Sequence, residues 1–290
     1  MSSVLILGAR SWIGFRLIEA ILNQQASAVV QGTTSSRSLK SIESGHPDFC
    51  SAQTIEDFKN VFRQKKYSVV VNLLRGEDET GLETHRQMAT ECFKGGAQYV
   101  YASSALALDG YDFNQVLTED LPAKSVTPYG QFKGACEDYL KDTYPNEDWL
   151  VLRFSSIQGW SPWKPSRNEV FLTKLQQSQT VKVSHGIKQN RVYDKIFAQA
   201  VAQLFNQSNV RGVFHLGTTD QSDEIDFLQS VAETFGYDKS MVQPEGERKV
   251  NLSLRCDRLH QVTANQWLQT EAQTITALFQ EPHLNSFKKK

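Results

Sequence analysis

Residues 3–22 read SVLILGARSWIGFRLIEAIL. Four aliphatics in a row, Val4 to Leu7, run straight into a glycine, which is how a strand buried on both faces reads. Ile13, Leu17, Ile18, Ile21 and Leu22 then fall on one stripe of a helix. Between the two patterns stand Gly8, Ser11 and Gly14, spaced three apart. Gly8 permits a tight turn, and Gly14 lets the helix lie close on the strand. The helix N-terminus offers amide groups and a partial positive charge, which suit a pyrophosphate. Glycines at this spacing, after a first strand and before a helix, form a dinucleotide-binding pattern, so Gly8, Ser11, Trp12, Ile13 and Gly14 are candidate cofactor-binding residues. The middle position is usually glycine. A serine there narrows the approach, while its hydroxyl offers a phosphate a hydrogen bond.

Working outward, short apolar runs keep alternating with helical patterns. SAVVQG, YSVVVNLL, QYVYASS and DWLVLRFSSI read as strands. TIEDFKNVFRQKK, ETHRQMATECFKGG and PYGQFKGACEDYLKDTY read as the helices between them. This alternation predicts an α/β fold, a Rossmann-type doubly wound parallel sheet with helices on both faces. After Gly159 the rhythm breaks at Trp160, Trp163 and two prolines, returns with YDKIFAQAVAQLFNQ and GVFHLGTTD, and is mainly helical from about Ser222. The expected organisation is therefore a dinucleotide-binding domain at 1–159 plus about 185–221. A smaller, mainly helical substrate lobe would come from about 160–184 plus 222–290.

Composition narrows the class. The chain has 290 residues and a formal net charge of -1, which speaks against a nucleic acid or an acidic membrane as partner. Cys50, Cys92, Cys136 and Cys256 form no C-x-x-C pair, and the histidines show no ligand spacing, so no metal is expected. No apolar run approaches the roughly 20 residues of a membrane helix. The opening VLIL is too short for a signal-peptide core, and a cytoplasmic location is expected.

The end of the second strand bears on the cofactor. An NAD site usually places an acid there for the ribose 2′-hydroxyl. The sequence instead supplies Thr33, Thr34, Ser35, Ser36 and Arg37. Hydroxyls and a guanidinium suit a 2′-phosphate, so NADP is favoured over NAD, with Thr33, Thr34, Ser35 and Arg37 as candidate contacts.

The set GARSWIG, VVVN, YVYASSA, LTEDLPAKSVTPYGQFKGACE and LVLRFSSIQG resembles the extended short-chain dehydrogenase/reductase superfamily. Within it, the chain length and the helical C-terminal part are similar to the dTDP-4-dehydrorhamnose reductase group and related nucleotide-sugar epimerases. The resemblance implies a catalytic Ser104, Tyr129 and Lys133, with Ser103 as the neighbouring option for the hydroxyl. Tyr129 would pass the proton, Ser104 would hydrogen-bond the substrate oxygen, and Lys133 would hold the nicotinamide ribose. A cation one helical turn away is expected to favour the phenolate. Asn72 and Leu73 fall where the family approaches the cofactor, although NLLRGED replaces the usual small alanines. Arg75 is either a phosphate ligand or a surface residue, and Arg153 organises structure. The resemblance also implies a possible homodimer through the helices at 84–95 and 129–144.

The expected activity is an NADP-dependent oxidoreductase, a keto-sugar reductase acting on a nucleotide-sugar. Nucleotide-sugar epimerisation is the alternative, since it uses the same three residues. Ala105 and Leu106 follow Ser104 where a dehydratase carries an Asp-Glu pair, which speaks against dehydration. A non-catalytic NADP-binding regulatory or sensor protein is the reading of another class, motivated by Ser11 and NLLRG.

Overall fold

The computed structural model describes residues 3–25, 27–34, 48–205, 207 and 210–289. The chain divides into two compact units, one of Met1–Ala107, Ala123–Arg153 and Ala198–Phe214, the other of Leu108–Pro122, Phe154–Phe197 and His215–Lys290.

Chain order begins with β1 (Ser3–Leu7), α1 (Trp12–Gln24), β2 (Val29–Thr34), β3 (Asp48–Ser51) and α2 (Ile55–Gln64). Next come β4 (Val69–Asn72), α3 (Glu79–Lys94), β5 (Gln98–Ala102), α4 (Pro128–Thr143) and β6 (Trp149–Phe154). Then follow β7 (Ser156–Gln158), α5 (Arg167–Gln176), β8 (Val181–Gln189), β9 (Arg191–Tyr193), α6 (Asp194–Leu204) and β10 (Gly212–Leu216). The last elements are β11 (Ser222–Asp223), α7 (Glu224–Thr234), β12 (Val242–Leu252), α8 (Asp257–Val262) and α9 (Glu271–Gln280).

The main sheet has seven strands in the order β10-β6-β5-β4-β1-β2-β3. The pairs β1–β2, β1–β4, β2–β3, β4–β5 and β5–β6 are parallel. This is the doubly wound Rossmann order expected from the β-α alternation. The chain starts mid-sheet, builds out to β3, then returns past β1 to β4. The order therefore reverses between β1 and β4, where Leu7 is in register with Asn72. A crevice at the carboxyl ends of these two strands is where such sheets bind ligands.

Each strand of the sheet centre is apolar because both of its faces are covered. All residues of β4 and β5 are buried, as are four of the five in β1. On the α2, α3 and α4 side the core holds Phe58, Met88, Ala89, Tyr99, Tyr101, Cys136 and Leu140. The helices start where the sequence supplies caps. Thr54 and Asp57 form a reciprocal capping box on α2, and Asp78 caps α3. Thr127 caps α4, with Pro128 in its first turn.

The second unit has its own core of Phe171, Leu172, Phe227, Val231, Ile275 and Leu278, from α5, α7 and α9, with Phe235 at the end of α7. Its helices over EIDFLQSVAET and EAQTITALFQ follow the sequence pattern. This unit also holds a sheet of order β11-β8-β12 that the pattern did not announce. β12 reads VQPEGERKVNL, with most side chains exposed, and pairs in parallel with β8 through two register shifts. An edge strand of this kind has no alternating apolar face to read. β3 reads DFCS, which carries no apolar run either.

Candidate active site

Gly8 turns the chain at φ +77°, a left-handed conformation that favours glycine. A methyl group on Gly14 would stand 2.5 Å from the Ala9 carbonyl oxygen, so α1 touches the turn backbone there. Ser11 caps α1: its Oγ accepts from the Gly14 amide at 3.0 Å, while its own amide donates to Gly8 O at 2.9 Å. The hydroxyl oxygen that the sequence offered to phosphate is thus engaged in starting the helix. Ser11 itself is exposed, and Trp12 and Ile13 are half-buried at the mouth of the turn. The cradle fits a dinucleotide phosphate in its backbone, at a glycine turn leading into a helix N-terminus.

Thr33 is buried, and its Oγ1 accepts from the Gly8 amide at 3.1 Å. Its carbonyl accepts from Ala9 N at 3.0 Å. The end of β2 therefore pins the glycine turn in place, and Thr33 holds the cradle rather than facing outward for a 2′-phosphate. Thr34 is buried too. Ser35 and Arg37 lie outside the described residues.

Asn72 is fully engaged inside the unit. Its Nδ2 donates to the Tyr99 hydroxyl at 2.7 Å, and its Oδ1 accepts from Leu74 N at 2.9 Å. Tyr99 Oη is 3.3 Å from His85 Nδ1, and His85 Nε2 is 3.1 Å from Cys136 O. Burial pushes His85 down to about 3, so it is neutral and bridges a phenol to a carbonyl. This buried chain shapes the turn after β4. There Leu73 and Leu74 approach Gly8, with Leu74 Cδ2 only 3.4 Å from where a Gly8 side chain would begin. A cavity of about 590 Å³ beside it is lined by Ala52, Phe58, Leu74, Arg75, His85 and Phe132, among others.

The two serines after β5 divide cleanly. Ser103 is buried and donates to Glu137 Oε1. Glu137 also takes a fork of hydrogen bonds from buried Arg153, including Nη2 to Oε2 at 2.6 Å. Ser103 therefore belongs to a structural ion-pair network. Ser104 is half-buried and its Oγ accepts from Leu106 N at 3.2 Å, opening the short 3-10 turn Ala105–Leu108.

That turn is seated against the first turn of α4. A methyl group on Gly130 would lie 2.0 Å from Leu106 O and 2.1 Å from Ser125 Oγ. Backbone-to-backbone contact at Gly130 brings its neighbour Tyr129 to the segment that carries Ser104. One helical turn on, Lys133 is buried and donates from Nζ to Ala102 O at 2.7 Å. The ammonium lies 5.6 Å from the centre of the Tyr129 ring and 4.7 Å from that of Tyr101. Tyr129 and Lys133 thus lie together, and Gly130 ties their helix to the segment after β5 that carries Ser104.

One expectation is corrected here. The phenol of Tyr129 is pushed up, not down: burial dominates, Arg75 opposes it and Glu77 adds to it. Lys133 is itself lowered to about 8 by its own burial. In the chain alone the phenol keeps its proton at neutral pH, as an ordinary phenol does, and the upward shift makes it a weaker acid than free tyrosine. The guanidinium of Arg75, 5.8 Å from the Tyr129 ring centre, is a neighbour that sequence spacing did not reveal. Among the described residues, no cluster of three or more His, Cys, Asp or Glu side chains is placed to hold a metal, and no helix is long and apolar enough to cross a membrane.

Three solved structures show how widely this architecture is shared. dTDP-glucose 4,6-dehydratase from Bacillus anthracis str. Ames, in complex with NAD, superposes with TM-score 0.83 at 14% identity, covering 98% of this chain and 97% of that one. UDP-N-acetylglucosamine 4-epimerase from Bacillus cereus gives 0.77 at 16%, covering 96% and 95%. dTDP-4-dehydrorhamnose reductase from Bacillus anthracis str. Ames, in complex with NADP, gives 0.74 at 13%, covering 96% and 99%. At these identities the likeness carries the fold. No curated protein matches the chain in sequence. The family model described as RmlD substrate binding domain matches residues 1–280, and the chain belongs to that family.

Proposed function

We propose that the chain is an NADP-dependent oxidoreductase that reduces a keto nucleotide-sugar, as a reductase of the dTDP-4-dehydrorhamnose type does. The observation that carries this reading is the placement of Tyr129, beside the Lys133 ammonium and next to Gly130, which packs on the turn of Ser104. A bound nicotinamide cofactor would supply the hydride. Ser104 orients the substrate carbonyl by a hydrogen bond, and Tyr129 donates the proton to its oxygen. Lys133, anchored on Ala102 O, holds its ammonium under the phenol and toward the cofactor ribose. The turn at Gly8, with Ser11, Trp12, Ile13 and Gly14, cradles the pyrophosphate. Asn72 and Leu73 shape the wall beside it, and nucleotide-sugar recognition is assigned to the second unit.

The preference for NADP rests on the sequence at the end of β2, TTSSR, which has no acid. Of the structural neighbours, the reductase is in complex with NADP and the dehydratase with NAD. Epimerisation is the second reading, favoured by Ser104-Ala105-Leu106, which offers the sugar no carboxylate. The test is NADPH consumption against a panel of 4-keto nucleotide-sugars, with product analysis for epimers. Stoichiometric NADPH loss with a reduced sugar is the expected result. An inverted sugar without net NADPH loss would favour the epimerase. Tight NADPH binding with neither product would make the chain a sensor.

A further inference from the structure

Arg75 stands directly after the Leu73-Leu74 pair, on the loop that follows β4. Its side chain is 81% exposed and pairs through Nη2 with Glu77 Oε1 at 2.5 Å. Three charged groups face the Tyr129 ring. Arg75 and Glu77 come from this loop, and Lys133 comes from α4 itself. The two cations are at nearly equal range, 5.8 Å and 5.6 Å from the ring centre. They are not equivalent. Lys133 is buried, is spent on Ala102 O, and has been brought to about 8 by desolvation. It releases its proton before an ordinary phenol does. A guanidinium keeps its charge across the whole working range, and the bond to Glu77 holds it more firmly still.

We infer that Arg75 is a positioning residue for the proton donor: its guanidinium, shared with Glu77, is the permanent cation beside the Tyr129 phenol. Arg75 draws the phenol toward ionisation, and Glu77 holds it back. Removing either charge should therefore move the phenol, in opposite directions. The loop after β4 in this way contributes to acid–base chemistry as well as to the wall of the cradle. A structural disturbance of an exposed loop would give no such pair of opposite signs.

This inference rests on Tyr129 as the proton donor, and its test needs neither substrate nor cofactor. A ring-fluorinated tyrosine, whose phenol titrates below that of tyrosine, is placed at position 129 and followed by fluorine NMR against pH. The expected result is a midpoint shifted to higher pH in Arg75→Gln and to lower pH in Glu77→Gln, with Arg75→Lys close to the parent. An unmoved midpoint in Arg75→Gln, or shifts of one sign in both charge-removing variants, overturns it. Absence of turnover with every keto-sugar would sink the proposed reaction and leave this titration readable. The two failures are thus distinguishable.

Discussion

Ser103 and Ser104 are adjacent in sequence and differ in burial and partners. Ser103 is tied to Glu137, whose other contacts go to Arg153. Replacing Ser103 by alanine removes a donor from a buried carboxylate and is expected to cost about 1–3 kcal/mol of stability, with turnover retained. Ser104→Ala is expected to lower kcat by about 10²-fold or more with the unfolding midpoint unchanged. Paired thermal unfolding and NADPH oxidation measurements separate the two, and reversed outcomes would reassign the hydroxyl. Lys133 carries a pH signature. Burial puts it at about 8 in the folded chain, against 10.5 for an ordinary lysine. Below about pH 8 both states are charged and the fold bears the full desolvation cost. Between about 8 and 10.5 the unfolded chain binds more protons, so stability rises with pH. The parent should gain stability relative to Lys133→Met across that window, measured by urea unfolding at pH 7.5 and about pH 10. A pH-independent difference between the two would refute the assignment. The spacing of Tyr129 and Lys133 was legible in sequence. The direction in which the phenol moves was not, because burial belongs to the packed chain and not to the helix.

At the scale of elements, α4 and the turn after β5 act as one piece because Gly130 lets them touch. Gly130→Ala sets a methyl group 2.0 Å from Leu106 O, a backbone atom that cannot swing aside. The expected result is a loss of about 1–3 kcal/mol in stability and a fall in kcat larger than that loss explains, as Tyr129 moves off the Ser104 turn. Unchanged kcat would show that the contact does not position the phenol. Strands β1, β4, β5 and β6 were readable because coverage on both faces leaves continuous apolar runs. The charged edge strand β12 leaves no such trace, and neither does the pinning of the glycine turn by Thr33. That hydrogen bond joins residues 25 apart in sequence, and no local pattern encodes it.

Across the whole chain, strand order does what no single motif can. It sets β1 beside β4, so that the Gly8 turn meets Leu73 and Leu74. The second unit has a different anchor. Arg191 is fully buried and bonds Glu271 at 2.6 Å and Glu224 at 2.8 Å. Arg191→Met leaves those carboxylates without their cation and should cost about 3–5 kcal/mol, seen by calorimetry as an earlier unfolding transition. The Arg191 anchor was not foreseen, since an arginine in a short strand reads as a surface residue.

The central claim is that Tyr129 gives the proton. It is tested most directly by comparing parent and Tyr129→Phe for NADPH binding by fluorescence and for hydride transfer, in a single turnover, to whichever keto nucleotide-sugar of the panel the parent reduces. The expected result is NADPH affinity within a few-fold of the parent and a transfer rate lower by about 10²–10⁴-fold. Transfer at the parental rate in Tyr129→Phe would contradict it.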